Sequence, residues 1–230
     1  MLHEALIRKW SRTWKLTATD QQAVPGLCEY TRRVPRRADI ISQGACPERI
    51  HIILTGWAAR YNILGNGKRR ITAILLAGDV CDYHGSILGR MDHSIFARTD
   101  CEIACVEPQR IPEISVSHPS LARAIGRSAL IDEAIMRRWL VKSGRCEALE
   151  AVSHLLAELH VRAGVIGLTD DHSMEFPLIQ EEIGDATGLT AVHVNRVFKK
   201  LRELQIVSAH QRRIFSHNQE ELKSLGGFDL

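Results

Sequence analysis

The chain has 230 residues, 45% apolar and 25% charged, which is the composition of a globular protein long enough for one large or two modest domains. A formal charge of +3 does not by itself mark a nucleic-acid binder, so the placement of charge matters more than its sum. No run is apolar enough for a membrane span or a secretory signal, and the protein is expected in the cytoplasm, away from membranes.

The first 25 residues read as a basic helix ending near Pro25, with Arg8, Lys9, Trp10 and Arg12 among them. From about Thr31 to Pro108 short apolar runs alternate with turn signals. Ile40-Ile41, Ile50 to Leu54, Ala58 to Leu64, Ile71 to Leu76, Ser94 to Thr99 and Cys101 to Val106 are separated by Gly44, Gly56, Asn66-Gly67 and Gly78. Short strands at this spacing predict an antiparallel roll, with Asn66-Gly67 as a hairpin turn. Cys101, Ile103 and Cys105 fall two residues apart and share one strand face, as buried, reduced core thiols would.

From Pro119 to about Lys142 the period becomes helical. Leu121, Ile125, Ile131, Ile135 and Trp139 mark the main stripe, and Leu130, Ala134 and Leu140 widen it. A helix apolar on more than one side must bury two faces. One packs on the roll; the other is expected to meet the same helix of a second copy, with the main stripe as the dimer interface. Ser143-Gly144-Arg145 reads as a hinge, Ala148 to Leu159 as another amphipathic helix, and Thr169 to Ser173 as a polar loop.

The last module carries the functional signal. A short helix is predicted from Gln180 to Thr187, stopped by Gly188, with Thr190 as the N-cap of a second helix. Gly184 lets the two helices cross closely, and Ile183, Leu189, Val194 and Val197 supply the small core between them. This is a helix-turn-helix pattern. On the second helix, Val194, Val197, Phe198, Leu201 and Leu204 gather on one side and Val192, Asn195, Arg196, Lys199 and Glu203 on the other, with His193 and Lys200 on a flank. Arg and Asn on a free helix face can bond guanine and adenine edges in a major groove, and Val192 can touch a thymine methyl. Gln180, Thr190 and Ala191 complete the expected DNA-binding set. Ile206-Val207 and Ile214-Phe215 flank a basic hairpin tip, Arg212 and Arg213, read as a wing on the phosphates. Between Thr190 and Arg213 six Lys and Arg face one acid, Glu203, inside an otherwise acid-rich final third.

With these elements in this order, the chain resembles the Crp/Fnr family of bacterial regulators over nearly its whole length. Gly44, Gly56, Gly67 and Gly78 match the spaced glycines of a cyclic-nucleotide-binding-type roll, and the run Thr190-Ala-Val-His-Val-Asn-Arg-Val is close to the recognition helix of a large branch of the family. The resemblance implies an α+β chain: a β-roll sensor domain (1–117), a dimerisation helix and hinge (118–145) and a winged helix-turn-helix (146–230). It implies a homodimer on a pseudopalindromic site in double-stranded DNA, activating or repressing transcription, with RNA polymerase as a partner. It also implies an effector in the roll coupled to DNA binding.

The effector segment departs from the cyclic-AMP pattern. Members that bind cyclic AMP start this segment with Gly-Glu and end it with Arg-Ser; here it starts Gly78-Asp79 and ends His93-Ser94. A mostly neutral histidine does not replace the fixed fork of an arginine on a phosphate, so the effector is expected not to be cyclic AMP. Cys81, His84 and His93 crowd the same segment, and a haem or metal site is a second reading of it, although no cofactor is predicted outright. Two other classes fit the residues less well. A ligand-binding signalling module without DNA binding leaves the helix-turn-helix unexplained. A metal-dependent enzyme lacks His-x-His in the roll, and no P-loop, Gly-x-Ser-x-Gly or paired-carboxylate constellation is present, so the chain is expected not to be an enzyme.

Overall fold

The structure is a computed structural model that describes residues 2–83, 85–170 and 172–228. It divides into two compact units, one of residues 1–62 and 72–136, the other of residues 63–71 and 137–230.

In the first unit the expected single N-terminal helix is two, α1 (Glu4–Thr13) and α2 (Ala18–Leu27). Thr17 explains the break. Its side chain accepts the Asp20 backbone N–H while Asp20 accepts back, a capping box that starts a new helix. Pro25 sits inside α2 and does not end it. The strands follow as β1 (Thr31–Val34), β2 (Asp39–Ile41), β3 (Ile50–Thr55), β4 (Ala58–Ile63) and β5 (Arg69–Leu75). After the short helix α3 (Gly85–Leu88) come β6 (Ser94–Ala97) and β7 (Cys101–Val106), then α4 (Arg110–Ser117) and the long α5 (Pro119–Arg145). The strands form two antiparallel sheets, ordered β1-β7-β3 and β2-β6-β4-β5. At the hairpin between β4 and β5, Leu64 N–H donates to Lys68 C=O, and Gly67 rather than Asn66 takes the positive φ.

The period of two along β3 and β7 sorts two cores. Ile50, Ile52, Leu54, Ala104 and Val106 face outward and pack with Leu6, Trp10, Val24 and Leu121 from the helices. Ile53, Cys101, Ile103 and Cys105 face inward with Val34, Ile40 and Ile95, so the three cysteine-strand residues do share one face. Burying one aliphatic side chain of this size contributes about 1.5–3 kcal/mol, and the outer core clamps α1, α2 and the start of α5 to the roll.

The dimer stripe requires a correction. Leu121 is 0% exposed and Ile125 and Ile135 are 9% exposed within the single chain, because they already cover the chain's own core. Ile131 is at the edge of exposure, and Trp139 is half-buried with its indole N–H committed to Glu158. All of the main stripe except the exposed Ile131 is therefore buried or half-buried within the single chain. The exposed apolar side chains of α5 are Leu130, Met136, Leu140 and Val141, beside Ile131. Leu130 and Val141 lie about half a turn from Leu121 at ~100° per residue.

The predicted hinge is also corrected: Ser143, Gly144 and Arg145 continue α5, and the non-helical break falls at Cys146-Glu147. In the second unit α6 (Ala148–Val165) runs longer than expected. The expected polar loop contains two short strands, β8 (Thr169–Asp170) and β9 (Ser173–Glu175), and Asp171 lies outside the described residues. Then come α7 (Gln180–Thr187), α8 (Ala191–Glu203), β10 (Val207–His210), β11 (Arg213–Ser216) and α9 (Gln219–Gly226). Their four-stranded antiparallel sheet runs β10-β11-β9-β8.

Candidate nucleic-acid interface

The two helices α7 and α8 are set against each other by three local devices. At the start of α7 the Ile179 N–H donates to Glu182 Oε2 at 3.0 Å, satisfying one orphan amide. At its end Gly188 takes φ +79°, a left-handed cap that costs any residue with a Cβ, and its N–H returns to Gly184 C=O at 2.7 Å. Thr190 then caps α8, its Oγ1 accepting the His193 N–H at 3.3 Å. Gly184 is the crossing point, since a Cβ there would lie 2.5 Å from the Leu189 carbonyl oxygen.

Below α8, Val194, Val197 and Leu201 are buried, as is Ile183 on α7. Leu189 is half-buried, and Leu204, expected on this side, is exposed because α8 ends at Glu203 and Leu204 is its C-cap. Above it, Val192 is 61% exposed, and His193, Asn195, Arg196, Lys199 and Lys200 are exposed with it. Ala191 and Gln180 are half-buried at the rim. Asn195 Nδ2 reaches Gln180 Oε1 at 3.5 Å, and Lys199 pairs loosely with Glu203 at 3.8 Å. Both are solvent-exposed contacts worth less than about 1 kcal/mol, which base or phosphate groups can displace. A rigid helix thus offers an amide, a guanidinium, two ammoniums and an apolar tip on one free face.

In the wing, β10 and β11 form the expected hairpin, with Gln211 and Arg212 at positive φ in its tip. Arg212 is exposed and available to a phosphate. Arg213 is not part of the tip. It opens β11, pairs with His210 on β10, and its guanidinium donates to Ser173 Oγ at 2.6 Å and to Asp170 Oδ2 at 3.1 Å. The strands β8 and β9 that hold it carry no strong propensity of their own, and pairing across the sheet is the signal that sequence reading missed.

The residues expected in the effector pocket belong to the first unit. Gly78 turns the chain after β5, and Asp79 is buried with Oδ1 2.5 Å from Lys9 Nζ and Oδ2 accepting the Leu76 N–H. Cys81 is fully buried, and burial pushes its thiol well above the usual range. His93 is buried with Nδ1 2.6 Å from Asp92 Oδ1, while Ser94 Oγ accepts the Gln43 N–H. His84 lies outside the described residues. Asp79 is therefore held by a cation of its own chain. Among the described residues no group of three or more His, Cys, Asp or Glu converges as metal ligands would, and no helix is long and apolar enough to cross a membrane.

Comparison with known proteins finds two family matches along the chain. Residues 31–118 match the cyclic nucleotide-binding domain, and residues 150–225 match the Crp-like helix-turn-helix domain. The chain is 24% identical to the nitrogen fixation regulation protein FixK of Azorhizobium caulinodans, over 97% of this chain and 91% of that protein. It is 23% identical to the transcriptional activator protein FnrL of Cereibacter sphaeroides, over 80% of this chain and 75% of that one. The solved structure of FixK2 from Bradyrhizobium japonicum has the same fold, with a TM-score of 0.74 at 24% identity, covering 85% of this chain and 96% of that one.

Proposed function

From the premise that this chain belongs to the Crp/Fnr family of DNA-binding transcription regulators, we propose that it acts as a homodimer on a two-fold pseudopalindromic operator, with α8 in the major groove. The observation that supports this reading is the α8 face itself. Val192, Asn195, Arg196 and Lys199 are exposed together on a helix whose underside and both adjoining turns are fixed. Groups aimed in this way bond base edges without first having to be ordered. The second copy supplies the other half-site, about one helical turn away. Its contact is proposed on the apolar side chains that α5 leaves exposed, Leu130, Leu140 and Val141, beside the half-buried Ala134. Bound there, the protein recruits or blocks RNA polymerase in the cytoplasm and performs no catalysis on its DNA.

We further propose that any effector of the roll is not cyclic AMP. The support is Asp79, already neutralised by Lys9, and His93, standing without an arginine's fixed charge where the phosphate-binding arginine is expected. The test is selection of bound duplexes from a random pool at fixed salt, with and without cyclic AMP. Enrichment of a symmetric motif, unchanged by the nucleotide, is the expected result. No enrichment from folded protein sinks the DNA-reading proposal, and enrichment only with cyclic AMP sinks the effector proposal.

A further inference from the structure

Strand β3 places one ionisable side chain against β7. The antiparallel register sets His51 directly across from Cys105, so both side chains leave the sheet on one face. Behind the ring stands Asp82, which is 0% exposed. Its Oδ1 accepts the His51 backbone N–H at 2.7 Å, and its Oδ2 lies 2.5 Å from the ring Nδ1. A buried carboxylate at that distance fixes the ring and keeps a proton on Nδ1, leaving Nε2 for another partner. The Cys105 side chain stands beside the ring on the same face, directly across the strand pair. The other charged group facing the sulfur is Arg32 on β1, whose guanidinium is also held by the Ile40 carbonyl at 2.6 Å.

The electrostatics of this group differ from those of every other buried thiol described. Burial alone would lower His51, but the hydrogen bond to Asp82 and the neighbouring Cys105 outweigh it and push the imidazole up to about 9. Burial alone would raise Cys105, but the neighbouring His51 and the charge of Arg32 bring it below the ordinary thiol value. Cys28 and Cys101, with no such partner, are pushed up by burial to about 12 and about 11.

We propose that Cys105, His51 and Asp82 form a nucleophilic cysteine site that reacts with small hydroperoxides. The Cys105 thiolate attacks one peroxide oxygen, forming an S–O bond as the O–O bond breaks. Sulfur gives up two electrons and becomes a sulfenic acid. The departing hydroxide takes the proton from the His51 imidazolium and leaves as water, or as an alcohol from an organic hydroperoxide. Asp82 is a positioning residue that holds the imidazolium in register. Cys105 is only 5% exposed, which restricts the reactant to molecules of about this size. The site is independent of the DNA-binding surface.

The test treats the full-length protein with hydrogen peroxide at neutral pH. It follows loss of free thiol at each of its six cysteines by peptide mass spectrometry after unfolding and labelling. Cys105 is expected to lose its thiol at least tenfold faster than Cys28 or Cys101, and faster than the exposed Cys46. His51→Gln is expected to slow Cys105 at least tenfold and move the pH midpoint of its reaction upward, with the rate at Cys46 unchanged. Asp82→Asn should do the same more weakly. A Cys105 that reacts no faster than Cys28 in the native protein overturns the proposal, as does a folded His51→Gln variant with an unchanged Cys105 rate. If the variants do not fold, the comparison among the wild-type cysteines decides alone.

Discussion

Glu158 on α6 is fully buried and accepts the indole N–H of Trp139 on α5 at 2.5 Å. Its other oxygen takes the Arg162 guanidinium at 2.7 Å. A buried carboxylate holding these donors packs the last turns of α5, which belong to the second unit, against α6. Glu158→Ala leaves an indole N–H and a largely buried guanidinium without this acceptor. It should cost about 3–5 kcal/mol of stability, and Glu158→Gln less, since an amide still accepts from one donor. Urea unfolding followed at tryptophan fluorescence measures both, and equal stability of the alanine variant would show that Trp139 and Arg162 find other partners.

Arg196→Ala should weaken operator binding by about 1–3 kcal/mol per half-site and relax base preference at one position of each half-site. Fluorescence anisotropy on the selected operator and on its single-base variants separates the two effects. Unchanged affinity would mean that α8 presents a different face to the groove.

The two wing arginines should behave differently, although they are neighbours in sequence. Arg212→Ala should weaken binding to all duplexes alike and flatten the salt slope by about one unit, as loss of one phosphate contact does. Arg213→Ala removes the ties to Ser173 and Asp170 and should lower thermal stability, with the salt slope of the folded protein kept. A salt slope that responds to Arg213 and not to Arg212 would reverse the assignment.

Gly184→Val and Gly188→Val probe the helix crossing. At Gly184 a side chain meets the Leu189 carbonyl, so the two helices must separate. At Gly188 a β-branched residue must adopt φ near +79°, a strain of about 1–2 kcal/mol or more. Both should lower the melting temperature, and Gly184→Val should also abolish operator binding, because it alone displaces α8. A Gly184→Val protein that binds normally would show that the crossing is not as tight as described.

Acid should destabilise the protein through two histidines of α6. Burial holds the His154 and His160 imidazoles below their usual value, and Gln219 donates its amide to His160 Nε2 at 2.8 Å, a bond that needs the neutral ring. Their folded values lie below the unfolded one. Their contribution is thus fully present above about pH 6.5 and is lost as pH falls through the depressed values. Each contributes a slope of at most about 1.4 kcal/mol per pH unit within that window. Urea midpoints between pH 7.5 and 5, compared with His160→Gln, test this. A His160→Gln variant with an undiminished acid slope would remove His160 from the account.

What the sequence determined by itself was local. The strands of the roll, the two helices of the DNA-reading motif, Gly188 and Thr190 at their turn and the exposed Arg196 face all follow from periodicity and capping, which act within a few residues. What it left to the tertiary structure were questions of partner. Leu121, Ile125 and Trp139 form as good an apolar stripe as Leu130 and Val141, and only the outer core of the roll and the buried Glu158 decide which faces inward. Arg212 and Arg213 are identical in composition, and β9, drawn in from about forty residues away, separates the free one from the bound one. Cys105 reads as one more core thiol until β3 and Asp82 bring His51 beside it. A side chain's type and spacing are set by the chain, but its charge state, exposure and partner depend on what folding places within a few ångströms of it.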